Sequence, residues 1–362
     1  MESLDVFTQK ELDEALARPD VIPICSGDGA FEAGGDSFLR AADSARVSLR
    51  DAAEVEAGGR TTVVASGTAY VTARDWATVE LSDSARAEAY GRVSVVAWDR
   101  SRVTAGGQSV VEATGEAAVT TQALAIATAS ERCAVRALSN SRVHVSGEAH
   151  AWAWGTSVVR AQESAVVSAW GSANVLATGA SAVEARENAI VVAGGNARVR
   201  AFGAAMVRAR GKAQVEAGGT VTVVQHGAGV TVSGDPVRSA SRFATGAEWC
   251  EYYGVEVKDG VATLYKAVED DFTSYHGMSY RPGTEPVATD WDAGEEECGG
   301  GLHFSPLPTF ALPHPDDALR FVACPVRLED IVVHPDGTYP DKVKARAVCA
   351  PVYEVREDGS RV

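Results

Sequence analysis

Small or β-branched residues alternate with polar and charged residues along residues 36–235. These 200 residues align in 25 rows of eight without an insertion; the fourth position is Val in 20 rows and the sixth is Ala in 19. A period of two is typical of a strand with one buried face, whereas a helix would need apolar residues three and four apart. Each octad is therefore predicted to contain one short strand.

The eighth position of the octad has a different character. It is Gly in 14 rows and Asp or Glu in 9. Gly adopts positive φ without a steric penalty, and Asp can accept a hydrogen bond from its own backbone in a turn. We therefore expect a corner at every eighth residue.

Strands this short and this similar bury their inner faces by stacking coil on coil in a parallel β-solenoid. Two octads would form a flat coil of 16 residues with two sheets, and three would form a triangular coil of 24. The repeat is rich in Ala and Val, and aromatic residues make up only 7% of the chain. Such small side chains suit a narrow core, which favours two octads per coil.

Outward-facing aromatic residues provide a second criterion for coil size. Trp152 occupies a fifth position, and Trp154, Trp170 and Phe202 occupy seventh positions. A 16-residue coil would place these seventh positions in one row with a cation–π contact: Leu138, Trp154, Trp170, Arg186 and Phe202. It would also make Glu184 a neighbour of Arg200. The row either stiffens the solenoid or forms a contact surface, so Trp152, Trp154, Trp170 and Phe202 are candidate binding residues.

Residues 1–35 are predicted to cap the solenoid, because an open terminal coil exposes unpaired backbone groups. Thr8 with Glu11 three residues later is typical of a helix N-terminus, and Leu12 and Ala15 supply an apolar face. Residues 21–35 are predicted to form the first, irregular coils.

The octad pattern ends at Asp235. Residues 236–246 are predicted to be a linker and residues 247–362 a small α+β domain. Its predicted strands are residues 260–268, 299–305, 318–326, 330–334 and 342–355.

The segments LYKAV, CGGGLHFS and KVKARAV follow the octads. With them the chain resembles an uncharacterised family from bacteria and their phages. In that family an alanine-rich octad array precedes a small C-terminal domain with a Cys, Gly-rich, Leu-His-Phe motif. The resemblance implies the order of the two parts and no activity.

The C-terminal region carries the candidate chemistry. Cys298 and His303 are separated by three glycines and an apolar residue, and could form a thiol–imidazole pair or contribute two metal ligands. A buried thiol and a hydrogen-bonded histidine are the structural alternative. Lys266 after Tyr265, with Ser305 on a later strand, resembles ADP-ribosyltransferases in part. The Ser-Thr-Ser run and the glutamate of that class are missing.

Charge and composition narrow the functional classes. The net charge is -16, but the octads hold 19 basic and 19 acidic residues, so nucleic acid is not the expected partner. No segment is apolar for the length of a membrane span. Six cysteines without a CxxC spacing indicate reduced thiols and a cytoplasmic protein. Acidic residues 295–297 and the pair Asp316 and Asp317 are solvated loop edges or cation ligands; no metal and no cofactor is predicted.

Together these observations predict a non-enzymatic structural or interaction protein. A rigid β-solenoid scaffold would present a C-terminal binding domain, and the aromatic row would contact an unidentified protein or a second copy of the chain. The alternative is an enzyme or effector, of the ADP-ribosyltransferase kind among others, with its active site around Lys266, Cys298 and His303.

Overall fold

The computed structural model describes residues 2–226, 229–234, 238–239, 243–297, 299–312, 319–334, 339 and 341–362. The chain divides into two units, Met1–Ala169 and Trp170–Val362. In each unit the octads form a parallel β-solenoid with coils of about 16 residues. The units are described separately.

In the first unit, each octad contributes one strand. The elements are β1 Glu2–Val6, α1 Gln9–Leu16, β2 Val21–Cys25, β3 Ala30–Ala33, β4 Phe38–Ala41, β5 Arg46–Leu49, β6 Glu54–Ala57, β7 Thr62–Ala65, β8 Tyr70–Ala73, β9 Thr78–Leu81, β10 Arg86–Ala89, β11 Ser94–Ala97, β12 Arg102–Ala105, β13 Val110–Ala113, β14 Ala118–Thr121, β15 Ile126–Ala129, β16 Ala134–Ala137, β17 Arg142–Val145, β18 His150–Ala153, β19 Val158–Ala161 and β20 Val166–Ala169. From β2 onward, even-numbered strands stack in one sheet and odd-numbered strands in the other.

The strand register confirms the coil of two octads. Val55 pairs with Val71 and Val63 with Val79, each 16 residues later. These fourth-position valines are at most 1% exposed, in the seam between the two sheets. The period-two pattern therefore predicted both the strands and the side chains that they bury.

The eighth position forms the corner, as predicted. Every eighth residue from Gly27 to Gly219 has a φ between 55° and 96°. The acidic side chains there act differently from the prediction, because they do not bond their own backbone. Among the described residues, each acidic side chain at a corner accepts a hydrogen bond of 2.8–3.1 Å from the backbone N–H of the eighth-position residue one coil earlier. In the described octads the donor–acceptor pairs are Gly27–Asp43, Gly35–Asp51, Gly59–Asp75, Gly67–Asp83, Asp83–Asp99, Gly115–Glu131, Gly147–Glu163 and Gly171–Glu187.

The N-terminal helix forms where the sequence predicted it. The Thr8 side chain accepts a hydrogen bond from the Glu11 N–H, and the Glu11 carboxylate accepts one from the Thr8 N–H. Leu12 and Ala15 are buried. Two features differ from the prediction: β1 pairs with β2 in parallel, and residues 30–33 already follow the 16-residue register, pairing with β5 rather than forming an irregular coil.

The second unit continues the same coil design and ends in a mixed region. Its solenoid strands are β21 Asn174–Ala177, β22 Ala182–Ala185, β23 Ile190–Ala193, β24 Arg198–Ala201, β25 Met206–Arg210, β26 Gln214–Ala217, β27 Thr222–His226, β28 Thr231–Gly234 and β29 Arg238–Ser239. Glu184 pairs with Arg200, as a 16-residue coil requires. β29 lies in the stretch predicted to be a linker and pairs with β27 of the solenoid.

The C-terminal elements of this unit are α2 Gly246–Tyr253, β30 Val257–Lys258, β31 Val261–Val268, β32 Leu302–Phe304, β33 Arg320–Arg327, β34 Val343–Ala345 and β35 Tyr353–Val355, with 3-10 turns at Pro308–Ala311 and Leu328–Asp330. Strands β30, β31, β33 and β35 form an antiparallel sheet, and β32 pairs with β34. The strand predicted at residues 330–334 is wrong: it reduces to one bridge between Val332 and Lys344. The strand predicted at residues 342–355 divides into β34 and β35.

One hydrophobic core joins the coils of the second unit to its C-terminal elements. Val192 and Val224, both at fifth positions of octads, are 1% exposed although such positions point outward. They belong to the same buried cluster as Trp249, Leu264 and Phe304. The C-terminal region therefore covers the outer face of the sheet formed by β23, β25 and β27.

Candidate functional site

A cleft of about 620 Å³ lies within the second unit, where β25 faces the C-terminal region. Four cationic side chains line it: Arg208, Arg210, Lys266 and Lys342. Glu269 is the one acidic residue among its described lining residues. Its described lining residues therefore include more cationic than acidic side chains, in a space that is partly shielded from water.

Arg208 joins the solenoid to the C-terminal region. Its Nε lies 2.9 Å from an Asp341 carboxylate oxygen, and both side chains are buried. Its guanidinium also donates to the Phe310 carbonyl and lies 5.5 Å from the centroid of the Phe310 ring. Burial raises the pKa of Asp341, and the Arg208 charge opposes that rise. A buried pair of this kind fixes the relative position of the segments that it joins, because breaking it strands a charge away from water.

Arg210 lies two residues further along β25, on the same face of the strand. Its guanidinium donates a hydrogen bond of 3.4 Å to the Leu312 carbonyl. The solenoid thus supplies two neighbouring guanidinium groups to the wall of the cleft.

Lys266 is held by β31, which pairs with β33 along its whole length. Its ammonium donates a 3.0 Å hydrogen bond to the His303 carbonyl and lies 5.3 Å from the centroid of the Tyr280 ring. Burial lowers the pKa of Lys266 to about 8. A larger fraction of this amine is therefore neutral near physiological pH than for an exposed lysine.

His303 lies on β32, opposite Lys344 of β34. Burial lowers its pKa to about 3, and the positive charges of Lys342 and Lys266 add to that effect. Its Nε2 atom is buried without a hydrogen-bond partner. His303 is therefore a neutral imidazole in the folded chain, with its ring centroid 6.3 Å from that of His334.

The structure brings two of the three predicted C-terminal candidates together. Lys266 and His303 both line the cleft, and so does Ser305, whose backbone pairs with Tyr265. Cys298 lies outside the described residues, so the thiol–imidazole pair stays a prediction.

The predicted acidic cation ligands have backbone roles where they are described. The Glu295 carbonyl lies 2.9 Å from His334 Nδ1, and the Glu296 carbonyl accepts a hydrogen bond from Lys344 Nζ. Asp316 and Asp317 lie outside the described residues. Within the described part of the chain, no group of three or more His, Cys, Asp or Glu side chains could hold a metal ion.

The candidate aromatic residues all lie at outward positions. In the first unit, Trp152 and Trp154 are half-buried, and Trp152 contacts His150 edge to face with ring centroids 5.5 Å apart. In the second unit, Trp170 and Phe202 are half-buried, and the Arg186 guanidinium lies 5.4 Å from the centre of the Phe202 ring. That contact is the cation–π pair predicted from the 16-residue spacing. Whether the four residues bind a partner stays a prediction.

Sequence reasoning missed most of the cleft. Arg208, Arg210, Glu269 and Lys342 were not among the candidates, although a signal was present. In the sheet that contains β21, β23, β25 and β27, several outward positions carry large aliphatic residues where other octads carry polar ones, and these recur at the 16-residue coil spacing. They are Leu176, Ile190, Val192, Met206 and Val224. An apolar face repeated at the coil period indicates a covered surface.

Comparison of the chain with protein-family models, with curated proteins and with solved structures gives no match. The resemblance stated above therefore rests on the quoted motifs, of which the β-solenoid repeat is shown. Cys25, Cys133, Cys250, Cys324 and Cys349 are free thiols. No helix in the described residues is long and apolar enough to cross a membrane.

Proposed function

We propose that the protein is a non-enzymatic binding protein in which the β-solenoid is a rigid scaffold. The scaffold holds the C-terminal region and supplies one wall of its ligand cleft. The observation that carries the proposal is the buried Arg208–Asp341 ion pair, which ties a coil strand to the region opposite it.

Two further features support this role. The outward side chains Val192 and Val224 are buried in the same core as the C-terminal elements, so the wall formed by β25 has a fixed position relative to Lys266 and His303. Binding sites are typically concave and preformed, with a few convergent polar groups. The cleft has this form.

A ligand screen with a blocked cleft tests the proposal. Ala267 lines the cleft, so Ala267→Trp should fill part of it, whereas Ala350 does not line it and Ala350→Trp is the matched control. A diverse set of small molecules is screened by ligand-observed NMR against the full chain and both variants. We expect hits that Ala267→Trp loses and Ala350→Trp keeps. Hits that survive in both variants, or no hits at all, would contradict a binding role for the cleft.

The aromatic residues extend the proposal to a protein contact. Trp152, Trp154, Trp170 and Phe202 would contact a partner protein or a second copy of the chain through their outward faces. Self-association predicts that sedimentation depends on protein concentration and that Trp154→Ser weakens this dependence. A single monomeric species at all concentrations would remove the second copy as the occupant.

One observation favours an enzyme as a second candidate function. Lys266 has a pKa of about 8 and lines the same cleft as His303, and desolvated lysines near neutral pKa are suited to covalent or general-base chemistry. An enzyme predicts turnover of a ligand from the screen. Replacement of Lys266 by Met should then abolish the turnover and leave the ligand bound.

A further inference from the structure

The inference concerns a surface of the first unit and does not involve the cleft. We propose that the open edge of β1 binds an extended segment of a partner protein, which adds a strand to the sheet that contains β1, β2 and β4. Along that segment, apolar residues would alternate with lysine or arginine.

The backbone of β1 has one bonded side and one open side. At its two ends the strand bonds toward β2: the Glu2 N–H donates to the Asp20 carbonyl, and the Val6 carbonyl accepts a hydrogen bond from the Ser26 N–H. Backbone groups of alternate residues point to opposite sides of a strand. The N–H and C=O groups of the third and fifth residues of the chain therefore face away from β2. In the part of the chain that the structure describes, β1 pairs with β2 alone.

The other sheet of the solenoid shows how such an edge can be closed. β3 is the first strand of that sheet, and Glu32 faces away from its neighbour β5. The Gln9 side chain donates a 2.9 Å hydrogen bond to the Glu32 carbonyl and accepts one of 2.7 Å from the Glu32 N–H. Among the described residues, no side chain closes Ser3 and Asp5 of β1 in this way. An unpaired edge of this kind is a template for an added strand.

The side chains of β1 indicate which residues an added strand would carry on its inner side. Leu4 lies on the same side of the sheet as Val6, which is 1% exposed in the seam, but Leu4 itself is 38% exposed. Phe7, directly after the strand, is 59% exposed. A strand added beside β1 would cover Leu4 with every second side chain, which favours apolar residues at those positions.

The charge near this edge favours a basic segment. Residues 1–35 carry 2 basic and 8 acidic side chains, so their net charge is -6. Both bases lie near carboxylates, with Lys10 3.7 Å from Glu14 and Arg18 3.9 Å from Glu2. Asp5 lies on the side of β1 opposite to Leu4. The remaining residues of an added strand would meet this acidic side, which fits lysine or arginine.

Peptide binding to the full chain tests the inference. The probe is a fluorescent heptapeptide of alternating lysine and valine, and binding is measured by anisotropy. We expect it to bind, to bind more weakly as salt is raised, and to bind more tightly than the same peptide with glutamate in place of lysine. Ser3→Pro removes an outward N–H from the edge without removing a bond to β2. This variant should weaken binding about tenfold or more, whereas the matched control Ser3→Ala should bind as the unmodified chain does.

Methylated peptides test whether the peptide binds as a strand. One peptide carries N-methyl groups on its lysines only, and the other on its valines only. An edge bonds to alternate residues of an added strand, so one of the two peptides should lose about tenfold or more in affinity and the other should bind as before. Thermal unfolding of Ser3→Pro and Ser3→Ala shows whether each variant is folded.

Several results would overturn the inference. They are equal binding of the lysine and glutamate peptides, equal binding by Ser3→Pro and Ser3→Ala, equal binding of the two methylated peptides, or no binding. Binding that Trp154→Ser abolishes would assign the peptide to the aromatic residues instead. A dimer of the chain alone that Ser3→Pro dissociates would make a second copy the occupant of the edge. None of these results changes the outcome of the Ala267→Trp screen, so the proposed cleft is tested separately.

Discussion

At the scale of single residues, the corner of each octad shows how backbone geometry limits side-chain choice. Residues there have positive φ, a conformation that residues other than Gly, Asn and Asp rarely adopt. An Asp or Glu at the corner also accepts the N–H of the corner one coil earlier, at 3.1 Å in the case of Asp75 and Gly59. Gly therefore reaches the positive φ of the corner because it has no Cβ. Asp or Glu reaches the same φ and also forms a hydrogen bond to the neighbouring coil.

The adjacent glycines Gly58 and Gly59 provide a matched test of this corner. Gly59 has φ +66°, and a Cβ there would lie 2.9 Å from the Asp43 carbonyl oxygen. A Cβ on Gly58 would be 3.4 Å from its nearest neighbour, the Asp75 carboxylate. We expect Gly59→Ala to lower the free energy of unfolding by about 1–2 kcal/mol and Gly58→Ala to leave it nearly unchanged, as measured by urea denaturation. Equal effects would show that the corner does not require positive φ.

His303 gives a prediction for the dependence of stability on pH. Its pKa is about 3 in the folded chain against an ordinary 6.5, so between these values the unfolded chain binds a proton that the folded chain does not. The free energy of unfolding should therefore fall as the pH is lowered from about 6.5 toward 3, and rise again as the pH is raised.

Variants separate this contribution from the titration of carboxylates. His303→Gln should show a shallower loss of stability between pH 6.5 and 4 than the unmodified chain, measured by urea denaturation at each pH. His276→Gln, which removes an exposed histidine, should keep the original slope. A slope that is the same in all three proteins would mean that His303 takes up its proton equally in both states.

At the scale of elements, sequence predicted the repeat far better than the C-terminal region. Every octad has the same pattern of inward Val and Ala followed by a turn residue, and both features indicate one short strand. The 16-residue spacing of the aromatic residues agrees with the stacking of those strands. β1 was missed because it pairs outside that rule, with residue 2 opposite residue 21. Residues 330–334 have strand composition but form one bridge, since β-propensity depends on the neighbouring strand.

The chain should tolerate the loss of one whole coil but not a deletion that shifts the corners out of register. Deleting residues 84–99 removes one coil of the first unit and joins Arg100 directly to the corner residue Asp83, with the register of later strands unchanged. Deleting residues 84–95 removes one octad and half of the next, so that corners would fall inside strands. We expect the 16-residue deletion to keep the far-ultraviolet circular dichroism of a β protein and cooperative unfolding.

The 12-residue deletion should lose cooperative unfolding or fail to yield folded protein. If both deletions behave alike, the register between successive coils contributes little to stability. The outcome thus tests whether the octad register is required, without reference to the C-terminal region.

At the scale of the whole molecule, the cleft in the second unit depends on residues that local patterns do not connect. Lys266 and His303 were identified from their chemical types, but the cleft also needs Arg208 and Arg210 from an octad. Within its own row, Arg208 is one outward residue among many, and only the docking of the C-terminal region makes it a buried partner of Asp341. The outward aliphatic residues of this sheet indicate that the face is covered, but they do not identify Asp341 or Lys342 as residues that lie opposite Arg208 and Arg210.

β25 and the C-terminal region of the second unit form one cooperative structure with the cleft in its wall. Native-state hydrogen exchange of Arg208→Met tests it, with Arg200→Met as control, because Arg200 pairs with Glu216 on the exposed surface. Loss of one partner of a buried pair lowers stability by about 3–5 kcal/mol, whereas an exposed pair contributes about 1 kcal/mol or less. We predict that Arg208→Met lowers the protection of amides in β25, β31 and β33 together and that Arg200→Met leaves them nearly unchanged. Unaltered protection of β31 and β33 in Arg208→Met would show that β25 and the C-terminal region unfold independently.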